Sequence, residues 1–181
     1  MVEIFKIKKI KISRNEKKDI KNLKSDIFKY IDKCNQGEIT KEEFKKLVVL
    51  LVKYCKKTQY PDAVLEIPRV VFRKLDSSFA QYINELNTIE MDEDYLNTIR
   101  LGIRNLSELF DTTGHEMEHY HQHDSVIQYD KLSADEQGKI NERIKQSIEA
   151  FKKYFRLSKD DVRWLHMILV PYLKLDVLPI F

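Results

Sequence analysis

Residues 112–124 read TTGHEMEHYHQHD. Four of the chain's five histidines, His115, His119, His121 and His123, fall within nine residues, and the fifth is His166. His115 and His119 stand four apart. On a helix that spacing brings both imidazoles out of one face, one turn apart, where both can bind one metal ion. Glu116, directly after the first of them, falls beside the position that two such ligands leave open, and a carboxylate there can take a proton from water. The ion that suits the pattern is Zn2+, which accepts imidazole nitrogen and lowers the pKa of a water towards ~7. The chemistry implied is hydrolysis with Glu116 as general base. His119 and His123 form a second pair at the same spacing, so His123 is a rival ligand, but only His115 and His119 carry the glutamate in the right place. His121 lies about 200° around the helix from His119 and is expected at the surface.

The bland alternative is a charged helix end with solvated histidines. Against it stands an apolar stripe, Leu106, Leu109, Phe110, Thr113, Met117 and Tyr120, at three- and four-residue steps, with His115 and His119 at its border. Catalytic zinc takes three protein ligands and a water. A third histidine in the pattern HExxHxxGxxH is ruled out, because Gln122 and Ser125 occupy the positions of that glycine and histidine. The helix expected from about Ser133 offers Glu136, Glu142 and Glu149. The last two are seven apart and share a face beside Ile144, Ile148 and Phe151. The residues alone leave both open.

TTGHEMEHYHQ resembles the core of the gluzincin-type metallopeptidases, and more narrowly the small bacterial and phage zincins reading HExxHxxQ. In those proteins a strand precedes the motif helix, as LNTIEMD does here. A later helix carries a segment like P-I-E-x-x-A, and QSIEAFKKY is similar to it, with Ser147 for the proline and Lys152 for the alanine. The resemblance implies a zinc peptidase with His115, His119 and Glu149 as ligands and Glu116 as base, Glu142 remaining the alternative third ligand. It also implies that the strand before the motif helix pairs with extended peptide substrate. That role falls to Thr88–Met91, with Glu90, Asp92, Glu93 and Asp94 favouring a basic or neutral peptide. The motif proper covers about 11 residues and the looser match runs from Phe79 to Tyr154; the first 75 residues match nothing.

Other polar residues have weaker claims. Tyr129, Tyr154 and His166 are candidates for stabilising an oxyanion, Gln122 for orienting the site, and Asp111 or Asp124 for holding a ligand imidazole. Capping and surface roles compete for each of them.

The elements that must position these groups read as an α+β chain. Val2–Ile12 alternates as a strand. Ser13 with Glu16 and Thr40 with Glu43 are capping boxes, each opening an amphipathic helix. Ala63–Ile67 and Val70–Phe72 suggest short strands divided by Pro68. Phe79–Ile83 and Thr88–Met91 suggest a hairpin or two edge strands. A helical stretch runs from about Asp92 into the histidine cluster, interrupted at Gly102. Two more helices follow, from about Ser133 and after Ser158. The expected fold is one zincin-like domain over 1–181. Residues 1–60 form a strand plus two helices. Residues 61–181 form the metallopeptidase core, a small, mostly antiparallel sheet on the motif helix and the glutamate helix.

Composition narrows the setting. Of 181 residues 43% are hydrophobic, enough for a sizeable core, yet no apolar run reaches the ~18 residues that span a bilayer. Without a signal-peptide h-region, and with Cys34 and Cys55 far apart, the chain reads as cytoplasmic with reduced thiols. Charge is uneven. Met1–Leu75 holds 20 basic and 10 acidic residues, and Asp76–Asp124 holds 2 basic and 11 acidic. The basic part reads first as solvated helix surface. A competing function rests on it: a catalytically silent zincin scaffold whose N-terminal helices bind nucleic acid or an acidic partner. Otherwise the expected partner is a peptide or protein substrate.

Overall fold

Thr40 fixes the entry to the helix that begins at Lys41. Its hydroxyl accepts from the Glu43 amide at 3.2 Å, and the Glu43 carboxylate accepts from the Thr40 amide at 3.1 Å, a reciprocal capping box. The computed structural model describes residues 14–155, with side chains except at 143, 144 and 147–155. Its elements are α1 (Arg14–Asn35), α2 (Lys41–Gln59), β1 (Arg69–Arg73), β2 (Ala80–Ile83), β3 (Thr88–Asp92), α3 (Glu93–Arg100), α4 (Leu106–Asp130) and α5 (Ala134–Phe155), with a 3-10 turn at Asn84–Leu86. This is an α+β architecture. The expected strand at Val2–Ile12, the Ser13 cap and the helix after Ser158 lie outside the described residues.

α1 and α2 pack as an antiparallel pair, joined through Gly37, whose φ of 71° suits the left-handed turn. Phe44, Leu47, Val48, Leu51 and Val52 of α2 are buried. They join Ile89 and Met91 of β3 and Leu109, Met117 and Tyr120 of α4 in one core. Each such side chain contributes about 1.5–3 kcal/mol by leaving water. The lysines of α1 at 17, 18, 21, 24 and 29 are exposed. Cys34 and Cys55 are free and half-buried, and burial pushes both thiols up. Among the described residues no helix is long and apolar enough to cross a membrane.

Lys33 of α1 pairs with Glu43 across the helix pair. The Lys33 hydrogen bond and the Thr40 amide hold the Glu43 carboxyl down at about 2. A depressed carboxylate stabilises the fold above its unfolded value of about 4.3 and loses that contribution as pH falls through 2. Urea midpoints measured at pH 6, 3 and 2 are therefore expected to fall more steeply below pH 4.3 for the wild type than for Glu43→Gln. Parallel profiles for the two proteins would remove the pair from the account.

The sheet has the order β1-β3-β2. β2 and β3 are antiparallel, with Tyr82 opposite Ile89, and β1 runs parallel to β3, with Val70 opposite Ile89. The sheet is thus mixed rather than mostly antiparallel. The short connection at Asn84–Asn87 fixes β2 and β3 as a hairpin, and Asn87 takes the left-handed φ of 44° that closes it. β1 comes in from the other side, and its Arg69 amide donates to the Asn87 carbonyl at 3.1 Å. β3 is therefore the central strand, and every residue in it is buried. Pro68 precedes β1, and residues 63–67, expected as a strand, are irregular.

Gly102, with a φ of 72°, breaks the helical stretch between α3 and α4. Leu109, Thr113, Met117 and Tyr120 are buried as the stripe predicts, while Phe110 is exposed. The chain divides into two compact units, with the boundary between His121 and Gln122. The first holds α1, α2, the sheet, α3 and the first part of α4. The described part of the second is the end of α4 with α5. α5 opens on a capping box, in which Ser133 Oγ and N both donate to Glu136.

Candidate functional site

α4 carries the whole HExxH motif on uninterrupted helix. The four-residue step brings His115 and His119 together as expected. Their Nε2 atoms are 3.1 Å apart, and the rings meet edge to face at 84° with centroids 4.6 Å apart. Both histidines are exposed. Two nitrogen ligands at about 2.0–2.1 Å from a tetrahedral zinc stand about 3.3 Å from each other. The pair thus fits one ion without rearrangement of the helix, and two neutral imidazoles are the donor set that zinc favours.

Glu116 lies between the histidines and the sheet and is buried at 5% exposure. Burial raises its carboxyl above the usual range. His119, His115 and a hydrogen bond from the Tyr82 backbone amide pull in the opposite direction without cancelling that rise. The amide comes from β2. Asp92 N–H donates to the Phe79 carbonyl at 2.9 Å, so Phe79, Gln81 and Ile83 direct their backbone groups at β3. By the same alternation Ala80 and Tyr82 direct theirs outward, along the edge of β2 that faces no strand among the described residues. The motif's glutamate therefore meets the edge of β2 that has no strand neighbour among the described residues.

This arrangement changes the role expected of Thr88–Met91. β3 has a neighbour on each side, so its ladder is complete and it has no edge to offer a peptide. β2 has that edge. The acidic residues assigned to the cleft are engaged elsewhere. Glu90 is buried and pairs with Arg73 at 2.5 Å and Gln81 at 2.8 Å. Asp92 caps α3, accepting from Tyr95 N at 2.6 Å and Leu75 N at 2.7 Å. Glu93 pairs with Lys45 at 2.6 Å. Only Asp94 is largely exposed, 3.8 Å from Lys74.

His121 is not at the surface. It is 7% exposed and stacks on Tyr60, with centroids 4.6 Å apart and planes at 21°. The chain leaving α2 lies along that side of α4: Tyr60 Oη donates to Glu118 at 2.7 Å, and Tyr120 Oη donates to the Leu65 carbonyl at 2.8 Å. A helical wheel gives the direction of His121 but not the loop that covers it.

Among the described residues, no group of three or more His, Cys, Asp or Glu side chains is gathered as a metal would need. His123, half-buried, does not form such a group with the other histidines. Glu142 is exposed, 3.8 Å from Lys145. The side chains of Glu149 and Tyr154, and all of His166, lie outside the described residues. Asp124 is fully buried and accepts from Gln128 Nε2 at 2.5 Å, and Tyr129 Oη donates to Asn141 at 3.0 Å. Gln122 is half-buried and Asp111 exposed.

Sequence reasoning missed the Tyr82 amide and the edge of β2. The usable signal was the alternation around Ala80 and Tyr82, whose side chains both pack toward the core. No family model, curated protein or solved structure matches the chain.

Proposed function

We propose that the chain is a zinc-dependent peptidase on a zincin-like scaffold, hydrolysing peptide bonds with Glu116 as general base. The observation that carries this reading is the 3.1 Å approach of His115 and His119 Nε2 with Glu116 buried directly beside them. His115 and His119 would hold the zinc. Glu149 completes the ligand set in this reading, on the resemblance of QSIEAFKKY alone, with Glu142 the alternative. When bound, zinc supplies Lewis acidity toward the scissile carbonyl and lowers the pKa of water.

The chain's own groups do the rest. Glu116 accepts the proton of the attacking water on its carboxylate and returns it to the departing amine nitrogen. The Tyr82 amide donates to that carboxylate from β2. The outward-facing backbone groups of Ala80 take an extended peptide as an added strand, which sets its backbone beside Glu116.

The test uses the full-length chain with added zinc and a randomised peptide library, read by mass spectrometry. New peptide termini are expected, their appearance is expected to stop with 1,10-phenanthroline, and excess zinc is expected to restore it. A library left intact under all conditions would refute the reading.

A further inference from the structure

Phe79, directly before β2, whose outer edge has no strand neighbour among the described residues, is 51% exposed. One exposed aromatic is ordinary on a protein surface. This one is held rigidly. Its ring stacks on Tyr95, with centroids 4.3 Å apart and planes at 15°. The Arg104 guanidinium lies against both rings, 4.9 Å from the centroid of Phe79 and 5.6 Å from that of Tyr95. Arg104 is itself anchored by Glu108 at 2.8 Å, which also balances its charge. Tyr95 Oη shares a 2.8 Å hydrogen bond with Thr112 and donates to the Glu108 carbonyl at 3.2 Å. Tyr95 covers one face of Phe79, and the residue as a whole stays half exposed.

Two elements lead from this stack to the histidines. On α4, Glu108, Thr112, His115 and His119 follow one another at three- and four-residue steps on one side of the helix, so Thr112 lies about 4.5 Å of rise before His115. Phe79 leads directly into β2 and precedes Tyr82, whose amide meets Glu116, by three residues, or about 10 Å. A peptide laid on that edge beside Glu116 spans the same distance in about three of its own residues. We infer that the Phe79–Tyr95–Arg104 stack is a specificity subsite of the peptide cleft, taking an aromatic or large aliphatic side chain two or three residues from the bond at Glu116. The ligand class follows from the surface: a half-exposed aromatic residue and a guanidinium already paired with Glu108. A pre-ordered ring loses little freedom on contact and so favours binding.

The inference rests on the peptidase reading for the position of the bond, so binding and cleavage are measured separately. The full-length Glu116→Gln chain, with zinc, is panned against a library of six randomised positions, and the wild type digests the same library. Enrichment of Phe, Tyr, Trp, Leu or Met at one fixed position is expected. It should drop about ten-fold or more in Glu116→Gln carrying Phe79→Ala and persist with Phe79→Tyr. In the digest the same residue type is expected two or three positions from the cut. Absence of apolar enrichment, or enrichment that Phe79→Ala leaves unchanged, would overturn the subsite even if the wild type cuts. Phe79-dependent enrichment with an intact digest would keep the subsite as a peptide-binding surface and remove the peptidase reading.

Discussion

Glu116→Gln is expected to lower peptide hydrolysis by about 10²–10⁴-fold while leaving zinc binding intact. The amide is nearly the size of the carboxylate and can still accept from the Tyr82 amide through its oxygen, but it cannot take up the proton of the attacking water. Glu116 is buried between α4 and β2, so the same change removes a desolvated carboxyl and is expected not to lower stability. The pair of results separates a base from a structural group. Initial rates on the cleaved library peptides, with a urea melt of the same preparation, measure both. Turnover within three-fold of wild type would end the assignment of Glu116 as base.

The second large effect is on the fold that carries the motif. Tyr120 follows His119 directly and is fully buried. Its ring meets Tyr82 of β2 edge-on at 6.1 Å and tilts against Tyr60 at 6.4 Å, and its hydroxyl ties the loop at Leu65. Tyr120→Ala is expected to cost about 3–5 kcal/mol, the range for deleting a buried aromatic. Tyr120→Phe keeps the ring and loses one hydrogen bond, about 1 kcal/mol. Denaturant midpoints at unchanged m-value measure both. A cost below about 1 kcal/mol for the alanine variant would mean that the strand and loop are not held on α4 through this ring.

What the sequence made legible is what depends on near neighbours. The Thr40–Glu43 box, the break at Gly102 and the stripe from Leu109 to Tyr120 each follow from residues within a few positions, and the structure has all three. The α+β class follows from the same local patterns. Strand pairing is nonlocal. Phe79–Ile83 and Thr88–Met91 read as a hairpin or two edge strands, yet β1, paired from nineteen residues upstream, makes Thr88–Met91 central. Arg73, delivered by that strand, neutralises Glu90. His121 reads as a surface residue for the same reason, since Tyr60 covers it from 61 residues away in sequence. The two histidines were legible because one helical turn suffices to join them. The Tyr82 amide was not, because a backbone donor from another element has no signature in the motif.

The central claim is that His115 and His119 jointly hold one zinc ion. Native mass spectrometry of the full-length chain, after zinc is added and excess is removed, tests it most directly. The account predicts one zinc per chain for the wild type and for Glu116→Gln, and none for His115→Ala or His119→Ala, with circular dichroism showing all four folded. A folded wild type that retains no zinc, or zinc that remains at one per chain in both histidine variants, would contradict it.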